Sequence, residues 1–139
     1  MNTTTLTGNI TRDPELKFSQ SGVASCRLGI AVSKRWLDKK SGEWEEKTSF
    51  FNIVCFGQLA ENVTNSLGKG AEIIVQGEFQ TREYEVEGAK RTATELTASF
   101  IGASLTRATV SIEKNPPRST EWQKEAKQSA PRHYEEEAF

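Results

Sequence analysis

The sequence predicts an all-β fold: a five-stranded barrel with one short helix between its third and fourth strands. Three observations carry that expectation. Apolar and polar residues alternate with a period of two through most of residues 4–105, one segment breaks into a helical period, and two polar, glycine-containing stretches sit where hairpins would turn.

In the opening run, Leu6, Gly8 and Ile10 alternate with Thr and Asn until Asp13-Pro14 ends it, because proline offers a ladder no N–H. From residue 23 to 32, Ala24, Cys26, Leu28, Ile30 and Val32 share one register, with Ser25, Arg27 and Gly29 opposite. The polar stretch 38–43 reads as a hairpin loop, and residues 48–56 return as a strand. Phe51, Ile53 and Cys55 are expected inward there, and Phe50, Asn52, Val54 and Phe56 outward. Residues 58–67 form the helix, since Leu59, Ala60, Val63 and Leu67 make an apolar stripe, with Gly68 placed to take a positive φ after it. Beyond Gly70, Ile73, Val75 and Phe79 alternate with polar residues; Glu87-Gly88 marks a second hairpin. Residues 92–105 give a last strand with Leu96, Ala98 and Phe100 in register. Three strands, a helix and two strands is the order of the OB-fold, a Greek-key barrel. The pattern alone also fits a split β-sandwich.

After about Ile112 the composition changes. Pro116-Pro117, Ser, Gln, Lys and Glu dominate, and Trp122, Tyr134 and Phe139 are too sparse for a core. The expected organisation is one domain over 1–111 and a disordered tail over 112–139. The chain carries 18 Lys and Arg against 19 Asp and Glu, a formal charge of −1. Residues 1–111 hold 13 of each sign, and the tail 5 basic and 6 acidic. No net basic charge advertises a polyanion partner, so the placement of charges must decide. The N-terminus shows no signal segment and no apolar run approaches about 20 residues, so a cytoplasmic protein with no membrane partner is expected. Cys26 and Cys55 sit in apolar runs and read as small buried hydrophobes in a reducing compartment, with a disulfide or reactive thiol as the alternative.

The candidate site is aromatic and cationic. Trp36 lies within Lys-Arg-Trp-Leu-Asp-Lys-Lys, where Lys34, Arg35, Lys39 and Lys40 could track phosphates while the ring stacks a base. Packing of that ring on the barrel rim is the alternative. Strict alternation puts Trp36 on the side of Ile30 and Val32, so a twisted or bulged arm would be needed to expose it. Outward Phe50 and Phe56 call for a cover, which could be a base, a second subunit or the tail. Tyr84 shares a face with Arg82, although Glu83, Glu85 and Glu87 share the segment. Lys69, Lys90 and Arg91 complete the expected phosphate contacts. Gly68-Lys69-Gly70 lacks phosphate-loop spacing, the single His133 has no metal-ligand cluster, and no nucleophile has a histidine partner in the core. No enzyme, metal or cofactor is expected. At the C-terminus, Glu135, Glu136, Glu137, Ala138 and Phe139 form an acidic tip that could dock in a basic-rimmed pocket of a partner protein.

Several motifs in order carry a resemblance. They are Leu6-Thr-Gly8-Asn9 with Asp13-Pro14-Glu15, Arg35-Trp36-Leu-Asp38-Lys39 leading into Ser41-Gly42-Glu43, and residues 48–57. Leu59-Ala60-Glu61, Lys69-Gly70 and Gly77 with Thr81-Arg82 follow. Over residues 4–105 and the tip, the chain resembles the bacterial and phage single-stranded-DNA-binding protein family. The resemblance implies an OB barrel, a homotetramer and single-stranded DNA bound without strong sequence preference. It implies base stacking on Trp36, Phe50, Phe56 and Tyr84, with Phe50 and Tyr84 standing where relatives commonly carry Trp. It also implies a tail tip that recruits replication, recombination and repair proteins. Relatives usually end in Pro-Phe after aspartates; this chain ends in Glu-Glu-Glu-Ala-Phe. An OB module for structured RNA or a protein partner is the first rival, and a small nuclease or hydrolase the second.

Overall fold

Strand alternation and turn chemistry build the expected barrel, with one addition. In a computed structural model, which describes residues 1–117, the elements run β1 (Thr4–Ile10), β2 (Glu15–Phe18), β3 (Ala24–Leu37), β4 (Trp44–Phe56), α1 (Gln58–Ser66), β5 (Glu72–Val86) and β6 (Ala89–Ala103). The sheet order is β1-β5-β6-β4-β3-β2, and an additional β1–β3 pairing closes the ring. β4 and β6 pair in parallel, the other neighbours antiparallel. This is a closed five-stranded barrel with its first strand broken. The split β-sandwich is thereby excluded.

β2 was not foreseen. Asp13-Pro14 does interrupt the first strand, but the chain bends there and resumes pairing. Ile10 lies opposite Ile30, and Leu16 opposite Cys26, so both halves lie along β3. The bend is held by Thr11 N–H to Gly29 O (2.9 Å) and by the Asp13 carboxylate, which accepts the Lys69 N–H at 2.8 Å.

The core lies inside the ring. Leu28, Ile30, Ile53, Ile73, Val75 and Leu96 are fully enclosed, with Ala60 and Val63 of α1 packed against them. Each large aliphatic chain so buried contributes about 1.5–3 kcal/mol relative to exposure. Cys26 and Cys55 face each other across β3 and β4 as buried free thiols. Burial, with neighbouring Cys26 adding to it, pushes the Cys55 thiol up to about 12. Phe51 and Phe79 stack obliquely, 6.0 Å between ring centres, where the core ends on β4 and β5.

Two local expectations are corrected, and a third is refined. Phe100 faces outward, because a bulge at Ser99 lets Gln76 pair with Phe100 and Gly77 with Ala98; Ile101 takes the inward place instead. Gly77 is required at that bulge, since a Cβ there would stand 2.0 Å from the Thr97 carbonyl oxygen. Val54 lies on the outer face as expected, yet it is buried. It sits between Arg27 on β3 and Thr97 on β6, and the Arg27–Glu95 ion pair bridges those two strands across β4. The positive φ falls on Gly70 rather than Gly68, because α1 ends at Leu67 in an extended conformation.

Residues Met1–Thr109 form one compact unit, and the described residues after it, 110–117, carry no helix or strand. The expectations for Trp122, His133 and the tip Glu135, Glu136, Glu137, Ala138 and Phe139 lie outside the described residues, as does most of the expected tail.

Candidate nucleic-acid interface

Both long hairpins outrun the core. On β3 and β4 the last side chains packed against it are Val32 and Phe51; on β5 and β6 they are Phe79 and Leu96. Past those points the ribbons are exposed on nearly all positions of both faces. Residues 33–48 make a first arm and residues 80–94 a second.

The register of the first arm is unbroken from Ser25–Phe56 to Leu37–Trp44, so no bulge turns Trp36 outward. Its ring instead continues the inner face of the barrel wall into solvent, 37% exposed. On that face Trp36 pairs with Glu45, and Lys34 with Lys47. Lys34, Trp36, Lys47 and Ser49 line an open cavity of ≈ 420 Å³. Repulsion between two cations directly opposite each other is unfavourable in the free protein. A phosphate between them would relieve it.

Phe50 and Phe56 occupy the other, outer face of β4 and are 73% and 52% exposed. Arg35 shares that face, its guanidinium carbon 5.1 Å from the ring centre of Trp44. The turn that joins the two strands is closed by Asp38, whose carboxylate accepts the Lys40 N–H at 2.9 Å. Lys39 and Lys40 are exposed at this tip.

On the second arm the period of two sorts the charges. Arg82, Tyr84 and Arg91 lie on the outer face, with Tyr84 opposite Arg91; Glu83, Glu85 and Lys90 lie on the inner face, with Glu85 opposite Lys90. Tyr84 is 39% exposed. Arg82 is not a free cation: its Nε stands 3.7 Å from Glu95, the carboxylate that also holds Arg27.

Of the expected residues, then, Phe50, Phe56, Tyr84, Arg35, Arg82 and Arg91 share the outer surface. Trp36 and Lys34 share the opposite side of the first arm, Lys39 and Lys40 its tip, and Lys90 the inner face of the second arm. Lys69 lies apart, in the turn after α1. Trp44 and Lys47 were missed, because β4 was expected to begin at residue 48. The available signal was the spacing of Trp44, Phe50 and Phe56, six residues apart and therefore on one strand face.

Chemically, the surface offers flat apolar rings together with guanidinium and ammonium groups. Among the described residues no group of three or more His, Cys, Asp or Glu could hold a metal ion. Among the same residues no helix is long and apolar enough to cross a membrane.

Comparison with known proteins bears on the family and the fold. The model of the Single-strand binding protein family matches residues 1–104. The Single-stranded DNA-binding protein 2 of Streptomyces coelicolor is 42% identical over 113 residues, covering 79% of this chain and 56% of that protein. The Single-stranded DNA-binding protein of Mycobacterium leprae is 41% identical over 114 residues, covering 81% of this chain and 68% of the relative. The chain thus spans little more than half to two thirds of these relatives. Among solved structures, the small single-stranded DNA-binding protein from Streptomyces coelicolor superposes with a TM-score of 0.64 at 32% identity, over 76% of this chain and 96% of that one. A Plasmodium falciparum SSB complex with single-stranded DNA shares the fold, with a TM-score of 0.68 at 24% identity over 75% of this chain and 95% of that one.

Proposed function

The chain belongs to the single-strand binding protein family, and from that premise we propose that it binds single-stranded DNA without strong sequence preference and performs no catalysis. The observation that carries this reading is the exposure of Trp36, Phe50, Phe56 and Tyr84 on a barrel wall and its two arms, with Lys34 and Lys47 beside Trp36 and Arg91 opposite Tyr84. A buried core needs no such display, and every base has a face that such rings can stack. Strand faces and the loop joining the last two strands are also where OB-folds take oligonucleotides.

Stacking on each ring contributes about 1–3 kcal/mol, while Lys34, Arg35, Lys39, Lys40, Arg82 and Arg91 screen phosphates, with Lys69 and Lys90 at the margins. A near-neutral subunit gains from assembly, because linked sites raise the effective concentration of one strand without new contacts. A homotetramer serves this, and Ile74 and Phe100, exposed on the outer face of β5 and β6, supply apolar area for it. In this reading the protein protects single strands during replication, recombination or repair in the cytoplasm, and its acidic tip recruits partner proteins. The tip also competes weakly with DNA for the cationic surface.

The test is a titration of intrinsic tryptophan emission with poly(dT) at two salt concentrations, with the assembly mass from light scattering. Saturable quenching that resists competition by duplex or hairpin RNA, and a Trp36→Ala variant weakened by about fivefold or more, are the expected results. Equal competition by structured RNA would replace this reading with an RNA-binding one. Removal of residues 112–139 tightens binding at low salt if the tip competes.

A further inference from the structure

The first arm carries an exposed aromatic, Trp44, that the surface above leaves without a role. Trp44 is 61% exposed on the face opposite Trp36, Arg35 stacks over one side of its ring at 5.1 Å, and half-exposed Leu37 lies across from it in register. A single exposed hydrophobe needs no explanation. This one has two features that a scattered residue lacks. First, it continues an aromatic row: Trp44, Phe50 and Phe56 occupy one face of one strand at six-residue intervals, about 20 Å apart at a strand's rise. Second, the ring is held. A guanidinium over an indole is an attractive contact that restrains the side chain while leaving the other ring face open. A platform fixed in advance costs less ordering when a ligand lands on it.

Charge on this face is balanced, since Arg35 lies opposite Glu46, whereas Lys34 and Lys47 lie opposite each other beside Trp36. The two faces should therefore contribute differently: stacking beside two cations that face each other on the Trp36 side, stacking beside one cation that faces a carboxylate on the Trp44 side.

We propose that the first arm takes single-stranded DNA on both of its faces, Trp44 held by Arg35 acting as a further base-stacking platform opposite Trp36. This deepens the DNA-binding reading and rests on it.

The full chain has three tryptophans, Trp36, Trp44 and Trp122, so each arm face can be watched separately. A chain carrying Trp36→Phe and Trp122→Phe reports Trp44 alone; one carrying Trp44→Phe and Trp122→Phe reports Trp36 alone. Both are titrated with poly(dT) while binding is followed independently by anisotropy of a labelled oligothymidine. The expected result is saturable quenching in each chain at the DNA concentration where anisotropy saturates. Trp44→Ala should weaken binding by about fivefold or more with the log–log salt slope unchanged, and Trp44→Tyr should restore most of the loss. Quenching of Trp36 alone, with Trp44 emission unmoved while DNA is bound, would overturn the proposal and leave the DNA-binding reading intact. So would Trp44 emission that follows dissociation of subunits on dilution and ignores DNA. A wild-type chain that fails to raise the anisotropy would remove the DNA-binding reading itself, and this proposal with it.

Discussion

The ribbon of residues 33–48 and the ribbon of residues 80–94 are both antiparallel hairpins that leave the core behind, yet they dispose their side chains in different ways. The first presents an aromatic and a cation on each face: Trp36 with Lys34 and Lys47 on one, Trp44 with Arg35 on the other. The second is one-sided, with Arg82, Tyr84 and Arg91 outward and Glu83, Glu85 and Lys90 behind them. Summed along the chain, the second arm looks neutral and unpromising for a polyanion. Resolved by the period of a strand, it has a cationic aromatic face and an acidic reverse. Net charge per segment is therefore a poor guide wherever a strand separates neighbours in sequence onto opposite sides.

The largest effect should come from breaking the base of one arm. Gly77 sits at the bulge from which the second arm departs, and any Cβ there meets the Thr97 carbonyl. Backbone must move to admit it. Gly77→Ala is expected to cost about 3 kcal/mol, a fall in Tm on the order of 15 °C by calorimetry. A shift of only a few degrees would mean that the bulge relaxes freely.

A treatment of the shared core should instead weaken both arms together. In the unfolded chain the Cys55 thiol titrates near 9.0; in the native barrel it is pushed to about 12, chiefly by burial. Below pH 9 both states keep the proton. Above it the unfolded chain loses the proton and the native chain does not, so stability falls with rising pH across that window, by about 1.4 kcal/mol per unit at most. Denaturant titrations between pH 8 and 11 check this, and Cys55→Val should flatten the slope. An equal slope in that variant would assign the loss to other groups.

Between the arms, Trp36→Ala should weaken oligothymidine binding more than Tyr84→Ala does. The indole is the larger platform and stands beside the Lys34–Lys47 pair, which suggests about 2 kcal/mol against about 1 kcal/mol. Anisotropy titrations of the two variants give the ratio directly. The reverse order would make the second arm the principal site.

Much of this was legible in the sequence, and the failures have physical causes. Alternation and turn residues were enough for the barrel, the helix and both hairpin turns, since those signals are local. Parity was also right about Trp36: the ring does lie on the side of Ile30 and Val32, and it is exposed because the ribbon outruns the core, not because a bulge rotates it. Phe100 was misplaced because the bulge at Ser99 is set by Gly77 on another strand. Val54 lies on the face that parity gave it, and its burial there was not legible because the nearby Arg27–Glu95 ion pair joins residues 68 positions apart. β2 was missed because a proline that ends one pairing was taken to end pairing altogether. Trp44 escaped because four charged or large residues before Thr48 mask the alternation of β4.

The smallest predicted effect tests the sorting of charge on the second arm most directly. Glu83 and Glu85 are two residues apart and share the inner face; Arg91 and Tyr84 face each other on the outer one. If DNA runs over the outer face alone, removing both carboxylates alters only a field that must act across the ribbon, and salt screens that field with a length of about 8 Å at 0.15 M. Glu83→Gln with Glu85→Gln should then tighten binding by less than about twofold at that ionic strength, with no change in salt slope. Arg91→Gln removes only one charge, yet it should lower the log–log slope by about 0.7, because a phosphate contact disappears with it. Two charges on the wrong face should thus matter less than one on the right face. If the double glutamine variant instead tightened binding tenfold, the strand would have to pass along the acidic side, and the one-sided description of this arm would fail.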